Sequence, residues 1–114
     1  MVIHLPYLPN PAAPDGELRE KSVAVLGEEM DRADMLGAEL VVFHPGHVKS
    51  EAEVAAGLHR VAAAAALALA RNPASTTVLL LETTSRQKGE LGKTFAELGI
   101  ILREIGRASC RERV

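Results

Sequence analysis

Two histidines and a glutamate stand where three short apolar runs end. His4 follows Val2-Ile3, His44 closes Leu40-Val41-Val42-Phe43, and Glu82 closes Thr77-Val78-Leu79-Leu80-Leu81. Imidazole nitrogen and carboxylate oxygen are the donors that hold zinc, and they also suit manganese or iron. A neutral imidazole ligates through one ring nitrogen while a neighbouring group fixes the other. A glutamate offers two oxygens and can bridge two ions. One histidine at a strand end serves equally well as a hydrogen-bonded loop residue. Three donors at equivalent positions of a repeat point instead to a shared metal held by His4, His44 and Glu82.

The elements that must carry these donors alternate. The three runs, Val2–Leu5, Leu40–His44 and Thr77–Glu82, are nearly continuous in apolar residues, as strands buried on both faces of a parallel sheet are. Between the first two, a helix is expected from Asp15 to Leu36, with Leu18, Val23, Val25, Leu26, Met30, Ala33 and Leu36 as its apolar stripe. Pro14 and Gly37 are suitable start and stop signals. A second helix is expected from Glu51 to Arg71, with Ser50 as its N-cap and Asn72-Pro73 beyond its end. A third is expected to start near Lys93 and to be cut short around Leu102. Parallel strands need such crossovers. The order therefore predicts an α/β chain of about three βα units, a partial (β/α)8 barrel, in which C-terminal strand ends converge on one mouth. A doubly wound sheet competes, but no glycine-rich phosphate loop follows any strand.

Composition sets wider bounds. The 114 residues are 47% hydrophobic and 25% charged, enough to build a core and unlike a disordered chain. The net charge of −2 is not the footprint of an obvious nucleic-acid binder, although bound metal adds positive charge where a phosphate must sit. The lone cysteine, Cys110, excludes an internal disulfide. No signal peptide is visible, and the run Val61–Ala70 is far shorter than the roughly 20 residues that span a bilayer. A soluble, cytoplasmic chain without membrane contact is expected. Residues 105–114 resemble the translation of a common sequencing-library adapter. They are expected to be a non-native tail, leaving a barrel portion at 1–104 with a net charge of −4.

With these positions in view, the sequence resembles the endonuclease IV family. The resemblance rests on His4-Leu5-Pro6-Tyr7-Leu8-Pro9-Asn10, Leu18-Arg19-Glu20-Lys21-Ser22-Val23, Val42-Phe43-His44-Pro45-Gly46, and Leu80-Leu81-Glu82 with Gln87 and Leu91-Gly92. It runs collinearly through residues 1–104. It implies a (β/α)8 barrel of xylose isomerase type, monomeric, with a cluster of up to three zinc ions. It implies hydrolysis of the phosphodiester 5′ to an abasic site in double-stranded DNA, as a step of DNA repair. His4 and His44 would bind one zinc and Glu82 would bridge it to a second, these three being the catalytic centre. Tyr7 and Leu8 would contact DNA around the flipped-out sugar, and Asn10 and Gln87 would lie near the site on the DNA side. An extruded abasic nucleotide costs least to flip, and Leu8 can wedge into the gap while Tyr7 stacks.

The chain departs from the family after Glu82. There Thr83-Thr84-Ser85-Arg86-Gln87-Lys88 replaces a usual Asn-Thr-Ala-Gly-Gln-Gly, so two glycines become cations and conformations with positive φ become costly. His47 follows Gly46 where a small residue is usual. A whole barrel needs eight strands, and three are present, so the chain alone is expected to be unstable and inactive. A sugar isomerase or epimerase on the same kind of barrel, and a non-catalytic α/β module, remain open as alternatives.

Overall fold

The three apolar runs do pair, side by side and in chain order. The computed structural model describes residues 1–4, 10–71, 74–82, 91 and 94–110. Over these the elements run β1 (Val2–His4), α1 (Gly16–Leu36), β2 (Leu40–Phe43), a 3-10 turn (Glu51–Glu53), α2 (Val54–Ala70), β3 (Val78–Leu81) and α3 (Phe95–Cys110). The strands make one parallel sheet ordered β1-β2-β3. His4 lies opposite Val42, Val42 opposite Leu80, and Phe43 opposite Leu81.

Side chains alternate across a strand, and here the alternation sorts by number. Ile3, Val41, Phe43, Leu79 and Leu81 join a single core with Leu26, Met30 and Ala33 of α1, Leu58, Val61, Ala62, Ala65 and Ala68 of α2, and Ile101 of α3. The helices thus cover one face of the sheet, with α1 packed on α2 and α2 on α3. Val2, Val78 and Leu80 point to the other face and are 59%, 53% and 45% exposed, so no described layer covers them. Sequential strand order with helices on one side only is the wall of a barrel; a doubly wound sheet would carry helices on both faces.

The helix signals held in part. Asp15 caps α1, its carboxylate accepting from the N–H groups of Glu17 and Leu18, and Gly37 ends the helix in the left-handed region at φ 69°. The apolar stripe is narrower than its residues suggested: Leu18 and Leu36 are exposed, and Ser22 takes a buried place beside Leu26, Met30 and Ala33. Ser50 does not cap with its side chain; its carbonyl accepts from the Glu53 N–H and closes the 3-10 turn from which α2 continues. The third helix runs past Leu102 to Cys110, because Ile105, one turn beyond buried Ile101, still packs on the core. This crosses the expected boundary at residue 104; residues 111–114 lie outside the described residues.

The 20-residue stretch Glu51–Ala70 is longer than the ten-residue run picked out above, and by length and composition it could cross a membrane. Its position gives it other work. Gly57, Leu58, Val61, Ala62, Ala64, Ala65 and Ala68 are buried between the neighbouring helices and the sheet. Small alanine side chains let those helices approach closely, and alanine is the best helix former.

Candidate metal centre

The numbering that divides the sheet also decides where the three donors go. His4 belongs to the set opposite Val42 and Leu80, on the face away from the helices. His44 and Glu82 each follow a helix-facing residue, Phe43 and Leu81, so each turns to the same uncovered face, one step beyond the last paired rung. Parallel strands bring their C-terminal ends to one edge, and the three side chains meet there.

One ligating atom from each of His4, His44 and Glu82 lies within 4.8 Å of the other two. His4 Nε2 is 2.6 Å from Glu82 Oε2, and His44 Nε2 is 3.9 Å from the same oxygen. The two imidazole rings are tilted by 57° with centroids 5.2 Å apart. His44 sits deepest, its side chain 18% exposed, whereas those of His4 and Glu82 are 50% and 41% exposed. The centre is therefore floored by protein and open above. Two nitrogens and one oxygen at this spacing fit a divalent transition ion, and three protein donors would leave it room for water or a reacting group.

Behind the donors, the connections that follow the strands are laced together. Asn10 is buried in the β1–α1 connection. Its backbone N–H donates to Ser22 Oγ at 2.8 Å, and Ser22 Oγ in turn donates to the Leu18 carbonyl. Its Oδ1 accepts from the N–H groups of Ala12 at 3.2 Å and His47 at 3.1 Å, while its Nδ2 donates to the His47 carbonyl at 3.2 Å. Gly46, at φ 96°, sits against this amide: a Cβ there would overlap Asn10 Oδ1. The Gly46 carbonyl accepts from the Leu91 N–H at 2.9 Å, where the chain returns from β3, and Arg60 Nε of α2 donates to the Ala12 carbonyl at 2.7 Å.

Of the seven residues singled out from the sequence, the structure brings together His4, His44 and Glu82. Asn10, placed on the DNA side by the resemblance, is instead only 7% exposed, with its amide committed to its own chain. Tyr7, Leu8 and Gln87, and the altered loop at 83–88, lie outside the described residues. His47 is exposed, and its backbone, not its ring, does the bridging. Sequence reading gave Ser22 no role of its own, although it lies in the Leu18–Val23 motif; its bridge between the Asn10 N–H and the Leu18 carbonyl appears only in the fold.

The fold is similar to that of known proteins. The chain is 43% identical over all 114 residues to the protein named "Probable endonuclease 4" of Methanoculleus marisnigri, spanning 39% of that protein. The crystal structure of endonuclease IV from Thermus thermophilus superposes with a TM-score of 0.74 at 38% identity, covering 89% of this chain and 35% of that one. That of a D-tagatose 3-epimerase-like protein superposes with a TM-score of 0.80 at 25% identity, covering 90% and 39%. The chain thus spans about two fifths of the length of the relatives it matches. Residues 1–111 match the family described as xylose isomerase-like TIM barrel. With a parallel sheet in sequential order, helices on one face and a His-His-Glu cluster at the C-terminal strand ends, the chain belongs to the xylose isomerase-like TIM barrel family.

Proposed function

We propose that the chain is a three-strand section of a zinc-dependent endonuclease that hydrolyses the phosphodiester 5′ to abasic sites in double-stranded DNA. The observation that carries this reading is the convergence of His4, His44 and Glu82 at the mouth of the sheet. The endonuclease 4 relatives support it, one of them at 43% identity across the whole chain. Zinc suits two imidazoles and a carboxylate, with manganese or iron as alternatives. When bound, clustered ions lower the pKa of a coordinated water and neutralise charge on the attacked phosphate.

In this reading the chain's own residues hold and orient. His44, deepest of the three, fixes the floor of the site. His4 and Glu82, nearer solvent, set its open side, and a carboxylate such as Glu82 has a second oxygen that would reach a neighbouring ion if one were bound. Tyr7, Leu8 and Gln87 are proposed to face the DNA, on the resemblance of their motifs. The complete protein is proposed to act as a cytoplasmic monomer.

A sugar epimerase is the second reading, favoured by the higher TM-score of the epimerase-like structure. Overall superposition reports a barrel wall that both activities share. Identity reports the residues on it, and at 38% against 25% it favours the nuclease. The deciding experiment offers the complete protein an abasic-site duplex and a panel of ketoses. Metal-dependent incision at the abasic position is expected; ketose epimerisation without incision would overturn the proposal.

A further inference from the structure

Each donor of the metal centre stands at the end of a strand or one residue beyond it, where a connection begins, and a strand end swings unless its connection is fixed. The β2–α2 connection is fixed at several points. Phe43 is buried in the sheet, Pro45 is buried with a ring-locked φ, and His47 is gripped from both sides of its peptide by one amide group. Only His44, Pro45 and Gly46 lie between Phe43 and His47. That amide belongs to Asn10, in the connection that follows His4. The carbonyl of Gly46, in the same span, receives the N–H of Leu91, in the connection that follows Glu82. Asn10 is thus the knot at which the β1 and β2 connections meet, one hydrogen bond from the third.

We propose that Asn10 is a positioning residue of the metal centre, holding His44 in register with His4 and Glu82 through the backbone of His47. This rests on the metal reading above. Asn10 Oδ1 accepts two N–H groups, as many as its lone pairs allow, so this oxygen is committed within the fold. The absence of a side chain at Gly46 is part of the same device, since Asn10 occupies the space a Cβ would take. Groups that hydrogen-bond a metal ligand directly typically change metal affinity 10- to 100-fold when removed; Asn10 acts one step further back, through the His47 backbone, so the lower end of that range applies.

The test is metal affinity, measured by competition with a chelator on the complete protein, well below the melting temperature of every variant. Asn10→Ala is expected to bind zinc about tenfold more weakly or worse, with kcat lowered and the KM for abasic DNA little changed. Asn10→Asp keeps an acceptor for the Ala12 and His47 N–H groups and loses the donor to the His47 carbonyl; it is expected to fall between. Should Asn10→Ala not fold, Asn10→Asp decides alone. Wild-type zinc affinity in the folded variant, whether with a lowered melting temperature or with a raised KM, overturns the proposal, because the residue then only supports the fold or touches DNA. A His44→Ala control separates the two layers. If the wild type binds no metal, or His44→Ala binds it normally, the metal reading itself fails.

Discussion

His4 and His44 face each other across the mouth of the sheet, ring centroids 5.2 Å apart, with Glu82 Oε2 within 3.9 Å of both Nε2 atoms. They belong to neighbouring strands, and the register that sets His4 opposite Val42 leaves His44 one step further along the same face. Replacing His4, His44 or Glu82 by alanine in the complete protein is therefore expected to lower zinc affinity by more than about 100-fold, beyond what removal of an orienting group costs. His44→Ala should be the most damaging, since its ring is the most buried. Metal content after gel filtration checks this, and an unchanged content in all three would remove the centre.

Two glycines with positive φ allow a paired prediction. Gly37 ends α1 at φ 69° with nothing within 4 Å of a built Cβ, so Gly37→Ala meets the backbone cost alone, about 1–2 kcal/mol. Gly46 at φ 96° carries that cost and a collision with Asn10 Oδ1 as well. Gly46→Ala is expected to lose about 3 kcal/mol or more in urea unfolding and to weaken metal binding, whereas Gly37→Ala leaves binding intact.

At the opposite end of the sheet, buried Thr77 donates through Oγ1 to the Ala38 carbonyl at 2.9 Å and lies 3.1 Å from Asp34, which also receives the Ser75 hydroxyl. Thr77→Val would leave those acceptors short of a donor and cost about 1–3 kcal/mol. Because this bolt lies at the N-terminal strand ends, zinc affinity should be unaffected. A parallel loss of both would show that the two ends of the sheet are coupled.

The 114-residue chain by itself is expected to associate and to bind hydrophobic dyes. Val2, Val78 and Leu80 stand exposed on the uncovered face, and β1 and β3 each pair on one side only among the described residues. It should not incise abasic DNA. A cooperative thermal transition together with incision by the purified chain would contradict this.

Much of this was readable beforehand because each feature is local. Continuous apolar runs such as Val41-Val42-Phe43 announce strands, although Val2, Val78 and Leu80 leave one face exposed here, and Gly37 marks a helix end by chemistry confined to one turn. The donors were legible because each closes such a run. What escaped depends on residues distant in sequence meeting in space. Nothing near Asn10 announces His47, and Ser22 reads as a flaw in an apolar stripe until the Asn10 N–H is seen to need it. Leu18 and Leu36 fit the helical period, yet are 46% and 60% exposed.

The odd-and-even division of the strands has a practical corollary for changes in chain length. One residue gained or lost inside β1 or β2 would rotate His4 or His44 by half a turn and bury it against the helices, whatever the residue. The same gain within the 74–77 approach to β3 would do this to Glu82 only if it shifted the strand's pairing, which Thr77 opposes through its grip on Ala38. Length variation compatible with metal binding is accordingly confined to the helices and to connections beyond the knot, and an engineer wishing to graft new loops onto this wall should cut there.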